Sequence, residues 1–140
     1  MSKIKVFLGG ICSGRKWRDE LIPLLKCEYY NPIVKNWSEK DRIREVKERE
    51  NADIILYTVT SGIRGVYSIA GVVDDSNKRS DKTIFCNLYS NSEKHLTGYR
   101  KQMAHSLAAT ENLISQNGVK VFHDLKFVAE YINSLCGKVE

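Results

Sequence analysis

Residues 53–60 read Asp-Ile-Ile-Leu-Tyr-Thr-Val-Thr, a run almost wholly apolar and β-branched, with no alternation of polar and apolar positions. A strand of this kind has no face to offer water. It belongs inside a sheet covered on both sides, the place of a central strand in a parallel sheet. The rest of the chain agrees with that placement. Residues 3–8 form a short β-rich run ending in Gly9-Gly10, followed by a small polar turn at residues 11–14. Residues 17–25 carry Trp17, Leu21 and Leu24/Leu25 at helical spacing, with Pro23 expected to kink or shorten the helix. Residues 28–30 form a second strand closed by Asn31-Pro32, since the residue before proline is pushed out of the helical region.

Ser38, with Asp41 three residues on, has the form of a shortened capping box, opening a helix that runs to about Glu50. After the break at Ser61-Gly62, residues 66–76 read as a helix, 83–88 as a fourth strand and 101–116 as a longer helix stopped by Asn117-Gly118. A fifth strand over 119–122 and an amphipathic helix over 125–135 complete the series. Strict β-α alternation predicts one α/β domain over residues 1–140. The expected form is doubly wound and flavodoxin-like: a five-stranded parallel sheet of order 2-1-3-4-5 with helices on both faces.

Composition excludes several classes. Hydrophobic residues make up 42% and charged residues 28% of the 140 positions, enough apolar matter for a core and unlike a disordered chain. Cys12, Cys27, Cys86 and Cys136 are scattered, without zinc-site spacing, and are expected as reduced thiols. No apolar run reaches membrane-spanning length, and the opening MSKIKVFLGG enters a strand pattern directly, so a cytoplasmic location is expected. The net charge of +5 is spread among acids, as in SEKDRIREVKERENAD, and predicts no nucleic-acid polymer and no membrane as partner.

In a sheet of this order ligands sit beyond the carboxyl ends of the strands. The loop GGICSGRK after the first strand has Gly9 and Gly14 at P-loop spacing, but Arg15 and Lys16 stand where the phosphate lysine and the metal-holding hydroxyl belong. No G-x-G-x-x-G occurs either, so no metal and no cofactor are expected. Gly9 and Gly10 allow close backbone approach, and Arg15, Lys16 and Arg18 at a following helix start would suit a phosphate. A solvated surface turn would use the same residues. His95, His105 and His123 are far apart and near no obvious nucleophile.

Several segments in order carry a resemblance: KVFLGGICSGRKWRDELIPLL (5–25), YYNPIVKNW (29–37), ADIILYTVT (52–60), GVYSIAGVVDDSNK (65–78) and SLAATENLISQNGVKVFHDLKFVAEYINSL (106–135). Together they resemble the nucleoside 2-deoxyribosyltransferase-like family over nearly the whole chain. The resemblance implies a nucleoside or nucleotide ligand and a homo-oligomer. It implies cleavage of an N-glycosidic bond, with the 2-deoxyribosyl group passed to another base or to water through a covalent glycosyl-enzyme. Together with the topology it places Tyr67 and Ser68 beneath the sugar, Asn31 and Trp37 around the base, with Trp37 either a stacking surface or a packing residue, and Asn87 near base or ribose. Gly9, Gly10, Arg15, Lys16 and Trp17 fall on the first loop of the expected substrate site.

The family's nucleophile is a glutamate in a Thr/Ser-x-x-Glu motif on the helix after strand three. Ser68-Ile69-Ala70 match the approach to it, and the glutamate's position is occupied by Gly71. Glycine cannot attack carbon, and inside a helix it costs about 1 kcal/mol relative to alanine. Three explanations follow: a natural non-catalytic relative that binds a nucleotide or nucleotide-derived signal, a nucleophile removed by substitution, or another acid in its place. Asp74 and Asp75, three and four residues on, share the helix face.

Overall fold

The computed structural model describes residues 4–89 and 97–139. His95 and the end of the loop after the fourth strand lie outside the described residues. The elements are β1 (Lys5–Gly10), α1 (Trp17–Leu21), β2 (Glu28–Tyr30), α2 (Glu39–Asn51), β3 (Ile54–Val59), α3 (Tyr67–Lys78), β4 (Thr83–Asn87), α4 (Tyr99–Gln116), β5 (Lys120–Phe122) and α5 (Leu125–Val139). The five strands form one parallel sheet in the order β2-β1-β3-β4-β5. This is the expected doubly wound arrangement.

β3 occupies the centre because it can. All six of its residues are buried, and it pairs with β1 on one side and β4 on the other. Its side chains alternate between two cores. Ile55, Tyr57 and Val59 join Phe7 and Phe85 under Val72 of α3 and Leu107 and Ile114 of α4. Ile54 and Leu56 join Val6, Leu8, Ile84 and Cys86 under Trp17 and Leu21 of α1 and Val128 and Ile132 of α5. Each fully buried aliphatic side chain of this kind contributes about 1.5–3 kcal/mol before conformational entropy is set against it.

The local signals act as expected, with shifts at the ends. Pro23 stops α1 after five residues and turns the chain through a 3-10 segment, Ile22–Leu24, which leaves Leu24 exposed while Ile22 and Leu25 pack on the second core. Asp41 caps α2 by accepting from the Ser38 N–H at 2.9 Å and from its hydroxyl at 2.8 Å. α4 ends at Asn117 and Gly118, the latter at φ +103°, a left-handed conformation that suits glycine. α4 begins two residues earlier than its spacing suggests, and α5 runs four residues further.

Candidate functional site

The loops after β1 and β3 are drawn together at a pair of glycines. A Cβ on Gly62 would lie 2.6 Å from the Gly14 Cα, so neither position has room for a side chain. The Ser13 hydroxyl donates to the Gly62 carbonyl at 2.6 Å and locks the crossing. Gly10, at φ +122°, lies so close to the Thr58 backbone that any Cβ would collide with it. These contacts hold the two loops tightly at the carboxyl edge of the sheet.

Arg18 shapes the first loop from behind. Its guanidinium is buried and donates to the carbonyls of Leu8 (3.0 Å), Ile11 (2.9 Å) and Gly10 (3.2 Å), and it stacks on Trp17 at 4.3 Å. Trp17 itself is 1% exposed and donates Nε1–H to the Ile11 carbonyl at 3.1 Å. Burial pushes the Arg18 pKa down from its ordinary value.

Above these loops, between the end of β1, α2 and the start of α3, opens a cleft of about 800 Å³. Its walls include Phe7, Ile11, Ile33, Trp37 and Tyr57, and its polar lining includes Arg18, Arg42, Arg49 and Arg64. Glu45 is the single acidic side chain lining it among the described residues. Burial raises the Glu45 carboxyl above the usual range, opposed by Arg49 and Arg18. The cleft is therefore cationic and rich in aromatic surface, with one carboxyl in its wall. That combination suits an anionic ligand with a planar group: guanidinium groups for phosphate or carboxylate, and a ring face for stacking.

Of the residues singled out from sequence, Gly9, Gly10, Trp37, Tyr67, Ser68 and Gly71 line this cleft. Trp37 and Tyr67 are 54% and 70% exposed, so both aromatic faces stand open at its rim. Arg15, Lys16, Trp17, Asn31, Asn87, Asp74 and Asp75 lie outside the lining. Arg15 forms a two-pronged ion pair with Glu20, Nε at 2.7 Å and Nη2 at 2.8 Å, and Lys16 is exposed just before α1. The Asn31 side chain accepts from the Ile33 N–H at 3.1 Å. Asn87 is buried, donating to Glu111 at 2.9 Å and accepting from the Tyr89 N–H at 3.0 Å, and Glu111 in turn meets His123 at 2.6 Å.

The two aspartates have separate fates. Asp74 pairs with Lys78 at 3.1 Å on a partly exposed surface. Asp75 is wholly buried, accepts the Tyr57 hydroxyl at 2.6 Å and is ion-paired with Arg79. Tyr57 stands between Asp75 and the cleft: a Cβ built on Gly71 would meet the Tyr57 ring and hydroxyl at 3.0 Å. Desolvation, followed by the Asp75 carboxylate, raises the Tyr57 pKa well above the ordinary phenol.

Arg42, Glu45, Arg49, Tyr57 and Arg64 were not singled out from sequence. The first three sit in a charge-rich helix that reads as a solvated face, yet their spacing of three and four residues puts them on one side of α2. Tyr57 carries a signal of its own, since a hydroxyl in the middle of a buried strand needs a partner. No protein-family model and no curated protein matches this chain.

Proposed function

We propose that the cleft binds a 2-deoxynucleotide and that the domain is of the 2-deoxyribosyltransferase or N-glycosidase type, with Gly71 standing where the nucleophilic glutamate belongs. One observation carries the reading. Four arginines and the open faces of Trp37 and Tyr67 share a cleft whose wall includes Gly71 and Ser68. A phosphate would meet Arg64 at the exposed rim, since Arg18 is held by three carbonyls, Arg42 by Glu39 and Arg49 by Asp75, and a base would stack on an aromatic face. The sugar would then lie beside α3, where a carboxylate at position 71 would reach its anomeric carbon. Glu45, the one carboxyl lining the cleft among the described residues, would be the group to protonate a departing base.

The test is a chromatographic assay of the native chain and of Gly71→Glu with deoxynucleosides and deoxynucleotides, each with and without a second free base. Release of base by Gly71→Glu, or appearance of a new nucleoside when a second base is present, is the expected result. A Gly71→Glu protein that folds and binds nucleotide but never cleaves it would overturn the assignment of position 71. The introduced Cβ needs the Tyr57 ring to yield by a few tenths of an ångström, so folding is checked first.

A second reading is a binding module for a nucleotide or nucleotide-derived signal, without turnover. It is favoured by the absence of a carboxylate at position 71, by the sequestration of Asp75 behind Tyr57, and by a cleft volume near the upper end for small-molecule sites. Calorimetry against nucleosides, nucleotides and ADP-ribose separates the two. Micromolar binding by the native chain, with no turnover even in Gly71→Glu, would favour the module.

A further inference from the structure

Cys27 and Cys136 are free thiols that come from opposite ends of the chain to the same core. Cys27 lies at the bend between the 3-10 segment after α1 and the first residue of β2. Cys136 lies near the end of α5, where it continues the buried stripe of Leu125, Val128, Ala129 and Ile132 at helical spacing. Both pack on the second core, the one under α1 and α5. Both are half-buried, so a small reagent can reach them from solvent. The other two thiols differ: Cys86 is wholly buried in β4, and Cys12 is exposed on the loop after β1.

A side-chain clamp sets the pair. Asn133 of α5 accepts from the Lys26 N–H through Oδ1 at 2.9 Å and donates Nδ2–H to the Leu24 carbonyl at 2.9 Å. One carboxamide thus holds the chain on both sides of Leu25, and Cys27 follows Lys26 directly. Asn133 lies about one helical turn before Cys136, on the same side of α5. On the far side of Cys27, the Glu28 N–H donates to the Ile4 carbonyl at 3.2 Å and starts the β2 ladder. Cys27 is therefore fixed from both directions, with the turn of α5 that carries Cys136 beside it. The two thiols act on each other: burial, and then a hydrogen bond with Cys136, push the Cys27 thiol up to about 12. The strand they adjoin is weakly held. β2 has three residues, pairs with β1 alone, and leads into Ile33 and Trp37 of the cleft wall.

We propose that Cys27 and Cys136 form a redox-modification site, at which a small-molecule disulfide of the glutathione type converts the two thiols to an intramolecular disulfide that staples the root of β2 to α5. The inference stands apart from the nucleotide reading above. In the first step one protein thiol loses its proton to solvent and attacks a sulfur of the oxidant. The oxidant's S–S bond breaks, a mixed disulfide forms, and one small thiolate leaves and takes up a proton. The second protein thiol then loses its proton and attacks the protein-side sulfur of the mixed disulfide. The protein S–S bond forms and the second small thiol leaves. Two protein thiols are oxidised and one small disulfide is reduced to two thiols. The new bond closes a loop over most of the chain, and a long loop removes much of the unfolded chain's freedom.

The test uses the full chain, folded, in oxidised glutathione without denaturant. Remaining thiols are then alkylated and the protein is digested for mass spectrometry. The expected product is a pair of peptides joined through Cys27 and Cys136, lighter by two hydrogens than the reduced pair. The oxidised protein should melt on the order of 10 °C above the reduced protein. Cys27→Ala and Cys136→Ala should each abolish both the link and the rise, and Cys12→Ala should abolish neither. Melting of the reduced variants shows first that each is folded, and the unsubstituted chain carries the test of the link by itself. Glutathione held at Cys27 or Cys136 as a stable mixed disulfide, with no link between them, overturns the proposal. So does a link through Cys12 or Cys86, or a Cys27–Cys136 link that forms only in urea. A link that leaves the melting temperature unchanged or lower overturns the staple.

Discussion

At the residue scale the decisive contrast is between two adjacent aspartates. Asp74 and Asp75 are indistinguishable as sequence, yet one is a surface partner of Lys78 and the other a wholly buried hub for Tyr57 and Arg79. Asp75→Asn removes the charge that Arg79 depends on, and a loss on the order of 3 kcal/mol is expected in denaturant unfolding, because breaking a buried pair strands its partner. Asp74→Asn should stay within about 0.5 kcal/mol, as surface changes do. Glu45 supplies a pH prediction with a definite sign. Its folded carboxyl titrates above its unfolded value, so the folded state pays a desolvation cost once the group is ionised. Glu45→Gln should therefore raise the melting temperature at neutral pH, and the gain should fade as pH drops through the carboxylate range to below about 4.3. Equal melting curves for both proteins at neutral pH would count against the burial argument.

At the scale of elements, the site depends on how two loops meet. The Gly14–Gly62 crossing and the Ser13 bond set the separation of the β1 and β3 loops, and Arg18 pins three carbonyls of the first. Gly62→Ala should cost about 1–3 kcal/mol, since the new methyl would sit 2.6 Å from the Gly14 Cα and the loops would have to part. Thermal unfolding measures the cost, and ligand affinity should fall with it. An alanine that leaves both unchanged would show that the loops part freely. Much at this scale was legible beforehand: the β3 run, the Ser38–Asp41 cap, the Asn117-Gly118 stop and the breaking action of Pro23. Ends were less so, because the last turn of a helix is decided by what it packs against. The apolar spacing that places Trp17 and Leu21 in a core also nominated Leu24, which the 3-10 turn after α1 leaves exposed.

For the whole molecule, the balance of charge on the cleft makes the substrate reading testable without knowing the reaction. Arg64 is exposed on the cleft and Arg15 is tied to Glu20 outside it. Under the nucleotide reading, Arg64→Ala should cut the preference for nucleotide over nucleoside about tenfold, the value of one charge-assisted contact. Arg15→Ala should leave that preference where it was. Calorimetry with matched pairs of ligands reads both, and the reverse pattern would return the phosphate to the first loop. Among the described residues no helix is long and apolar enough to cross a membrane.

The sequence by itself determined the architecture. β-α alternation, one strand with no face for water, and turn residues with restricted backbone angles act locally, and they admit few ways to cover a parallel sheet. It also exposed the anomaly at Gly71, because a helix interior disfavours glycine wherever the helix is packed. Only the tertiary structure decided which charges meet. It set Arg42, Glu45 and Arg49 of an apparently solvated helix against a cleft, closed Tyr57 onto Asp75, and brought the Arg49 Nε to 3.9 Å from the same carboxylate. Charge interactions and burial depend on distances between residues far apart in the chain, and those distances exist only once β1, β3, α2 and α3 have packed.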